Sequence, residues 1–140
     1  MKKICIILAI VISSGILFVN ANEKSITDAL KTCSPYTESG TVKTEGMVVK
    51  STKNIVGWQG DKCVYKENLN FSGINATTSC KLTKSQINEI VSITNAYALV
   101  QQTTGEDVDT SSLDAVQNNP VVKVWSKYLQ DGSTCTVETH

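Results

Sequence analysis

The sequence predicts an α+β fold: an N-terminal helix, a three- to four-stranded antiparallel sheet, then two helices packed on one face, the whole stapled by disulfides. Three observations carry that expectation. Apolar residues recur at helical spacing towards both ends of the exported chain, polarity alternates through its middle, and cysteines fall in both kinds of segment.

The extreme N-terminus is set aside first. Lys2 and Lys3 precede an apolar run from Ile4 to Val19, and Val19-Asn20-Ala21 puts small or apolar residues where a signal peptidase reads them. This is the pattern of a secretory signal peptide over residues 1–21. The run is shorter than the roughly 20 residues that span a bilayer, and Ser13, Ser14 and Gly15 interrupt it. No stable membrane span is therefore expected after cleavage, and Cys5 leaves with the signal. Residues 22–140 leave about 119 of the 140 residues, enough for one hydrophobic core and too few for two. A single small domain, periplasmic or secreted, is the expectation.

Charge narrows the partners. All 13 basic residues are lysines, against 13 acidic ones, and loss of Lys2 and Lys3 brings the exported chain to a net charge of about −2. Arginine supplies the bidentate phosphate and guanine contacts, and a nucleic-acid binder needs a concentrated basic patch. Neither is present, so nucleic acid is not an expected partner.

Cys33, Cys63, Cys80 and Cys135 survive processing. An even set in a short exported chain reads as two disulfides. Zinc would need closely spaced pairs such as C-x-x-C, which are missing. Four cysteines allow three pairings and spacing does not choose among them; Cys33 with Cys63 and Cys80 with Cys135 is the pairing we expect.

The elements follow in order. In "SITDALKTC", Ile26, Ala29, Leu30 and Cys33 share one helical face, and Pro35 stops the helix. "CSPYTESG" reads as a turn-rich connector, and residues 42–49 as a strand with Gly46 as a bulge. A two-residue turn at Gly60-Asp61 would pair Gln59 with Lys62, Trp58 with Cys63, Gly57 with Val64 and Val56 with Tyr65. One face then collects Val56, Trp58, Cys63 and Tyr65, joined by Leu69 and Phe71, while the other collects Lys53, Gln59, Lys62 and Lys66, with Ile55 and Val64 as exceptions. Trp58 and Cys63 read as core and staple on that pattern. In "ATTSCKL", Thr78, Cys80 and Leu82 fall on one parity and bring Cys80 to the same covered face.

Thr83 and Gln86 form a capping box for a long helix whose stripe runs through Ile87, Ile90, Val91, Thr94, Tyr97, Ala98 and Gln101. A last helix opens at Asn118 or Asn119 with Pro120 in its first turn and carries Val121, Val124, Trp125, Tyr128 and Leu129 as far as Gly132. The segment 134–137 is extended and returns Cys135 to the body. Between the helices Glu106, Asp107, Asp109 and Asp114 suggest calcium, but an EF-hand counted from Asp107 would put Ser112 and Asn118 where glycine and a bidentate acid are required. The segment reads as a solvated connector, and no cofactor or metal is expected.

Catalytic constellations are missing. The one histidine, His140, is the terminal residue, where fraying is expected, so a nucleophile has no base. Glu38, Glu45, Glu67 and Glu89 supply carboxylates without singling out a pair for glycosidase-like chemistry, and the scattered glycines make no phosphate loop.

The frame "CSPY", "IVGWQGDKCVYKE", "SCKLT" and "NPVVKVWSKYLQDGSTC", spread over nearly the whole exported chain, resembles an uncharacterised family of small exported four-cysteine bacterial proteins. That resemblance implies a cysteine and aromatic framework and brings no activity, substrate or catalytic residue. Two function classes follow. The first is a non-enzymatic binding or interaction module, facing an envelope or extracellular protein or a small ligand through Tyr36, Gly60, Asp61, Lys62 and Lys66. The second is a small carboxylate-dependent hydrolase of the cell envelope. A purely structural role stands beside them.

Overall fold

A computed structural model of the protein describes residues 26–44, 47–105, 114 and 117–140. The predicted signal peptide, Gly46 and the acidic segment apart from Asp114 lie outside the described residues. The elements, numbered here in chain order, are α1 (Ile26–Thr32), β1 (Tyr36–Thr44), β2 (Met47–Gln59), β3 (Lys62–Phe71), β4 (Ile74–Leu82), α2 (Lys84–Thr104), α3 (Pro120–Gln130) and β5 (Cys135–Thr139).

The strands form one antiparallel meander in the order β1-β2-β3-β4-β5. Five strands replace the three or four expected, for two reasons. The connector "CSPYTESG" contains most of β1, because pairing from Tyr36 opposite Ile55 to Thr44 opposite Met47 overrides the loop propensity of its serine and glycine. Of residues 42–49, 42–44 accordingly end β1 and 47–49 begin β2, so the described ones do not form one strand. At the other edge, the extended C-terminal segment pairs with β4 from Cys80 opposite Cys135 to Ala76 opposite Thr139. His140 is tied down as well: its backbone N–H donates to the Asn75 carbonyl at 2.8 Å, which corrects the expectation of a frayed end.

Side chains alternate between the faces of each strand. On one face Val49, Ile55, Cys63, Tyr65, Leu69, Ala76, Cys80 and Leu82 are buried together with Ile26, Ala29 and Leu30 of α1, Ile87, Ile90 and Val91 of α2, and the apolar stripe of α3. The Trp125 ring lies 5.0 Å from that of Tyr65, joining α3 to the sheet centre. Each fully buried aliphatic side chain contributes about 1.5–3 kcal/mol. Beyond its covered half, α2 leaves Leu99 and Val100 exposed.

The helices begin and end as local chemistry dictates. The Thr83 hydroxyl accepts from the Gln86 N–H and the Gln86 side chain accepts from the Thr83 N–H. Asn119 Oδ1 accepts from the N–H groups of Val121 and Val122, at 2.9 and 3.5 Å. Helix α1 closes in a Schellman motif, with Cys33 N–H on Leu30 O and Ser34 N–H on Ala29 O, so Cys33 takes a φ of 52° that would suit glycine. Glu89 on α2 accepts from both Lys127 and Tyr128 on α3, and these bonds hold its carboxyl below the usual range.

Two disulfides fasten the helices and edges to the sheet. Cys33 bonds to Cys63, tying the end of α1 to β3, and Cys80 bonds to Cys135, tying β4 to β5.

The hairpin at Gly60-Asp61 forms as its sequence suggests, with Gln59 opposite Lys62, Trp58 opposite Cys63 and Gly57 opposite Val64. There simple alternation ends. A β-bulge between Ile55 and Gly57 leaves Val56 out of register, and Ile55, not Val56, stands opposite Tyr65. From that point every β2 side chain changes face relative to a count made from the turn. Ile55 is therefore fully buried and Val56 is 38% exposed. Trp58 keeps its place opposite Cys63, but beside the turn the cover is incomplete and it is 45% exposed, so it is not the core residue expected. Lys53, expected on the polar face, is turned inward.

Candidate functional site

The bulge builds a row of polar residues across the covered face. Glu38 on β1 stands opposite Lys53 on β2, Lys53 opposite Glu67 on β3, and Glu67 opposite Thr78 on β4. Two Tyr-x-Glu triplets flank the lysine. Within each, the tyrosine lies two residues before the glutamate and so on the same face: Tyr36 O–H donates to Glu38 Oε1 at 3.4 Å and Tyr65 O–H to Glu67 Oε2 at 3.0 Å. Lys53 is 1% exposed and Glu67 is fully buried, while Glu38, on the edge strand, is half-buried. Burial pushes the Lys53 amine down to about 7, against the pull of Glu67 and then Glu38, which favour the protonated form.

This row singles out Glu38 and Glu67 among the four carboxylates named from the sequence. It brings the two into one cluster with a lysine between them, not across a cleft from each other. A glycosidase pair must reach a bond and a water from two sides, and a fully buried Glu67 gives neither access.

The open face of the same strands is shaped differently. A groove of about 640 Å³ crosses β1 to β4. Two neighbouring rows line it. Ser39, Thr52, Asn68 and Thr77 stand opposite one another in one, and Thr41, Lys50, Asn70 and Asn75 in the next. Several of these groups orient their neighbours: the Ser39 and Thr52 hydroxyls lie 3.1 Å apart, Thr77 donates to Asn68 Oδ1 at 3.0 Å, and Asn70 Nδ2 donates to Asn75 Oδ1 at 2.8 Å. The His140 ring lies 3.4 Å from the Thr77 hydroxyl at the border of the groove. Among the described residues Lys50 is the sole charged one in the lining, and none of them contributes an aromatic ring to it.

The tight turn Ser72-Gly73 makes this surface regular. Both residues take positive φ, 48° and 77°, as a two-residue hairpin turn requires, and this sets Phe71 opposite Ile74 and Asn70 opposite Asn75.

The residues that the sequence suggested as a contact surface are not one patch. Gly60 and Asp61 are exposed at the β2–β3 turn with Lys62 beside them, and Lys66 is exposed on the open face of β3. Tyr36 lies on the covered face of β1, with its hydroxyl on Glu38. The groove is at the other end of the β2–β3 hairpin and was missed. Its residues lie in "TESGT", "KSTK", "ENLN" and "NATT", where the inward positions hold Glu38, Lys53, Glu67 and Thr78 as well as Leu69 and Ala76, so no alternation of polar with apolar residues marks the groove in the sequence.

Among the described residues no group of histidine, cysteine and acidic side chains is arranged to hold a metal ion, and no helix is long and apolar enough to cross a membrane. No protein-family model, curated protein or solved structure matches this chain.

Proposed function

We propose that this chain is an exported, disulfide-stapled binding module without catalytic chemistry of its own, working in the periplasm or outside the cell, and that it binds through the groove on the open face of its sheet. One observation carries the reading. Four consecutive strands present two adjacent rows of hydroxyl, amide and ammonium side chains there, while the opposite face of β2, β3 and β4 carries the core, with Tyr36 of β1 packed against it. Fixed polar groups gathered from several elements are what orients a bound ligand. Two disulfides suit an oxidising compartment. The burial of Glu67 weighs against the carboxylate-dependent hydrolase.

The test is an amide-correlation NMR titration of the oxidised protein with a soluble digest of cell envelope containing its glycan, peptide and lipid-headgroup fragments. Backbone signals of residues 39–41, 50–52, 68–70 and 75–77 are expected to move. Movement confined to residues 58–66 would transfer the contact surface to the hairpin tip, and an unchanged spectrum would remove the binding reading.

A further inference from the structure

Resting on the groove reading, we infer that the ligand is an extended, uncharged, β-linked glycan chain that crosses the four strands with one sugar ring to each. The argument is one of repeat and chemistry. Neighbouring strands stand ~4.8 Å apart, so each lining row offers a polar side chain at that interval from β1 to β4. A pyranose ring in a β-1,4-linked chain advances by a comparable interval and turns over at each linkage, so successive rungs meet the hydroxyls of alternate ring edges. In the first of the two rows those rungs are Ser39, Thr52, Asn68 and Thr77, one per strand.

The chemistry of the rungs agrees. Hydroxyls and carboxamides both donate and accept, as sugar hydroxyls require. The cross-strand bonds fix the side chains before any ligand arrives: Asn68 Oδ1 is engaged by Thr77, which directs the amide and leaves its NH₂ group to donate outward. Other classes fit less well. An extended peptide repeats at two residues per ~6.8 Å and binds sheets through open backbone edges; the edges of this sheet are β1 and β5, so a peptide would lie along β1 and not across β2 to β4, whose backbones are paired on both sides. A polyanion needs several cations, and among the described residues the lining holds only Lys50. An acyl chain would meet polar groups in every rung. Without an aromatic ring to stack on, the glycan is held by hydrogen bonds alone, which favours a long polymer over a single sugar.

The experiment repeats the amide-correlation titration with chitotetraose and cellotetraose, with chitobiose as the short control and maltotetraose as the curved, α-linked control. At least one β-linked tetramer is expected to move amides in all four strands and to bind about fivefold or more tightly than chitobiose and maltotetraose, and Asn68→Ala is expected to weaken that binding by about fivefold, the loss of one or two neutral hydrogen bonds. An unchanged amide spectrum away from the substitution shows that this exposed variant remains folded. Equal binding of maltotetraose, or indifference to Asn68→Ala, overturns the matched-repeat inference. If envelope fragments move the groove amides and neither β-linked tetramer does, the ligand class falls and the groove stands; if nothing moves them, both fall.

Discussion

Lys53 on β2 stands directly opposite Glu67 on β3, and both are closed off from solvent. Taking two charges out of water is costly, and their mutual attraction makes the arrangement tolerable. Lys53→Met strands the Glu67 carboxylate and is expected to cost about 3–5 kcal/mol. Adding Glu67→Gln removes the stranded charge and recovers part of that loss, since the remaining Glu38 is half-buried and can keep contact with water. Denaturant midpoints of both single variants and the double close the cycle. Additive losses would show that the two groups do not interact.

The same pair sets a pH dependence. Lys53 titrates near 7 in the folded protein and at its ordinary 10.5 in the unfolded chain, so between those values the unfolded chain carries a proton that the native protein lacks. Stability from this group therefore rises with pH across that window, levels off above it, and is lost as pH falls through about 7. Tyr128 works the other way at the upper end, because burial and then Glu89 raise its pKa. The double variant Lys53→Met/Glu67→Gln keeps Tyr128, so the difference between the two stability curves isolates Lys53. A flat difference from pH 7 to about 10 would refute the assignment.

Gly57 holds the bulge with a φ of +124°, while an added Cβ would meet nothing nearer than Pro35 Cγ at 3.9 Å. Gly57→Ala is therefore penalised by backbone strain and not by a clash, at about 1–3 kcal/mol. The measurement is a lowered denaturant midpoint with the m-value unchanged.

Thr78 ends the polar row fully buried, and its hydroxyl has no hydrogen-bond partner among the described residues. Thr78→Val exchanges that hydroxyl for a methyl group of similar volume, and a gain of about 1 kcal/mol is expected. A loss of that size would reveal a hydrogen bond from Thr78 to the row.

The disulfide from Cys80 to Cys135 is the covalent anchor of β5, a strand of five residues at the sheet edge. Replacing both cysteines by serine is expected to cost about 4 kcal/mol for a loop of that length. Amide exchange should accelerate first at Thr136, Val137 and Glu138. Uniform acceleration across the sheet would mean that β5 is held by its pairing alone.

Local chemistry was legible wherever a signal lies within a few residues. The capping box at Thr83 and Gln86, the Gly60-Asp61 turn and the parity of Thr78, Cys80 and Leu82 all depend on near neighbours and are found as read, and of the two caps read before Pro120, Asn118 or Asn119, the structure uses Asn119. Strand β1 was not legible, because Ser39 and Gly40 become strand residues only through the partner that β2 supplies.

The sequence by itself determined the order of the helices, the Gly60-Asp61 hairpin, the α+β class and the presence of a cysteine set suited to stapling, since these follow from periodicity and short-range bonding. The tertiary structure decided which face each residue of β2 takes. One bulged residue, Val56, inverts the alternation beyond it, and nothing in a single strand announces where an extra residue will be absorbed. That inversion carries Lys53 into the core between Glu38 and Glu67. It also turns Lys50 and Thr52 out to line the groove, so both the buried charge and the candidate site exist only once β2 has paired on both sides.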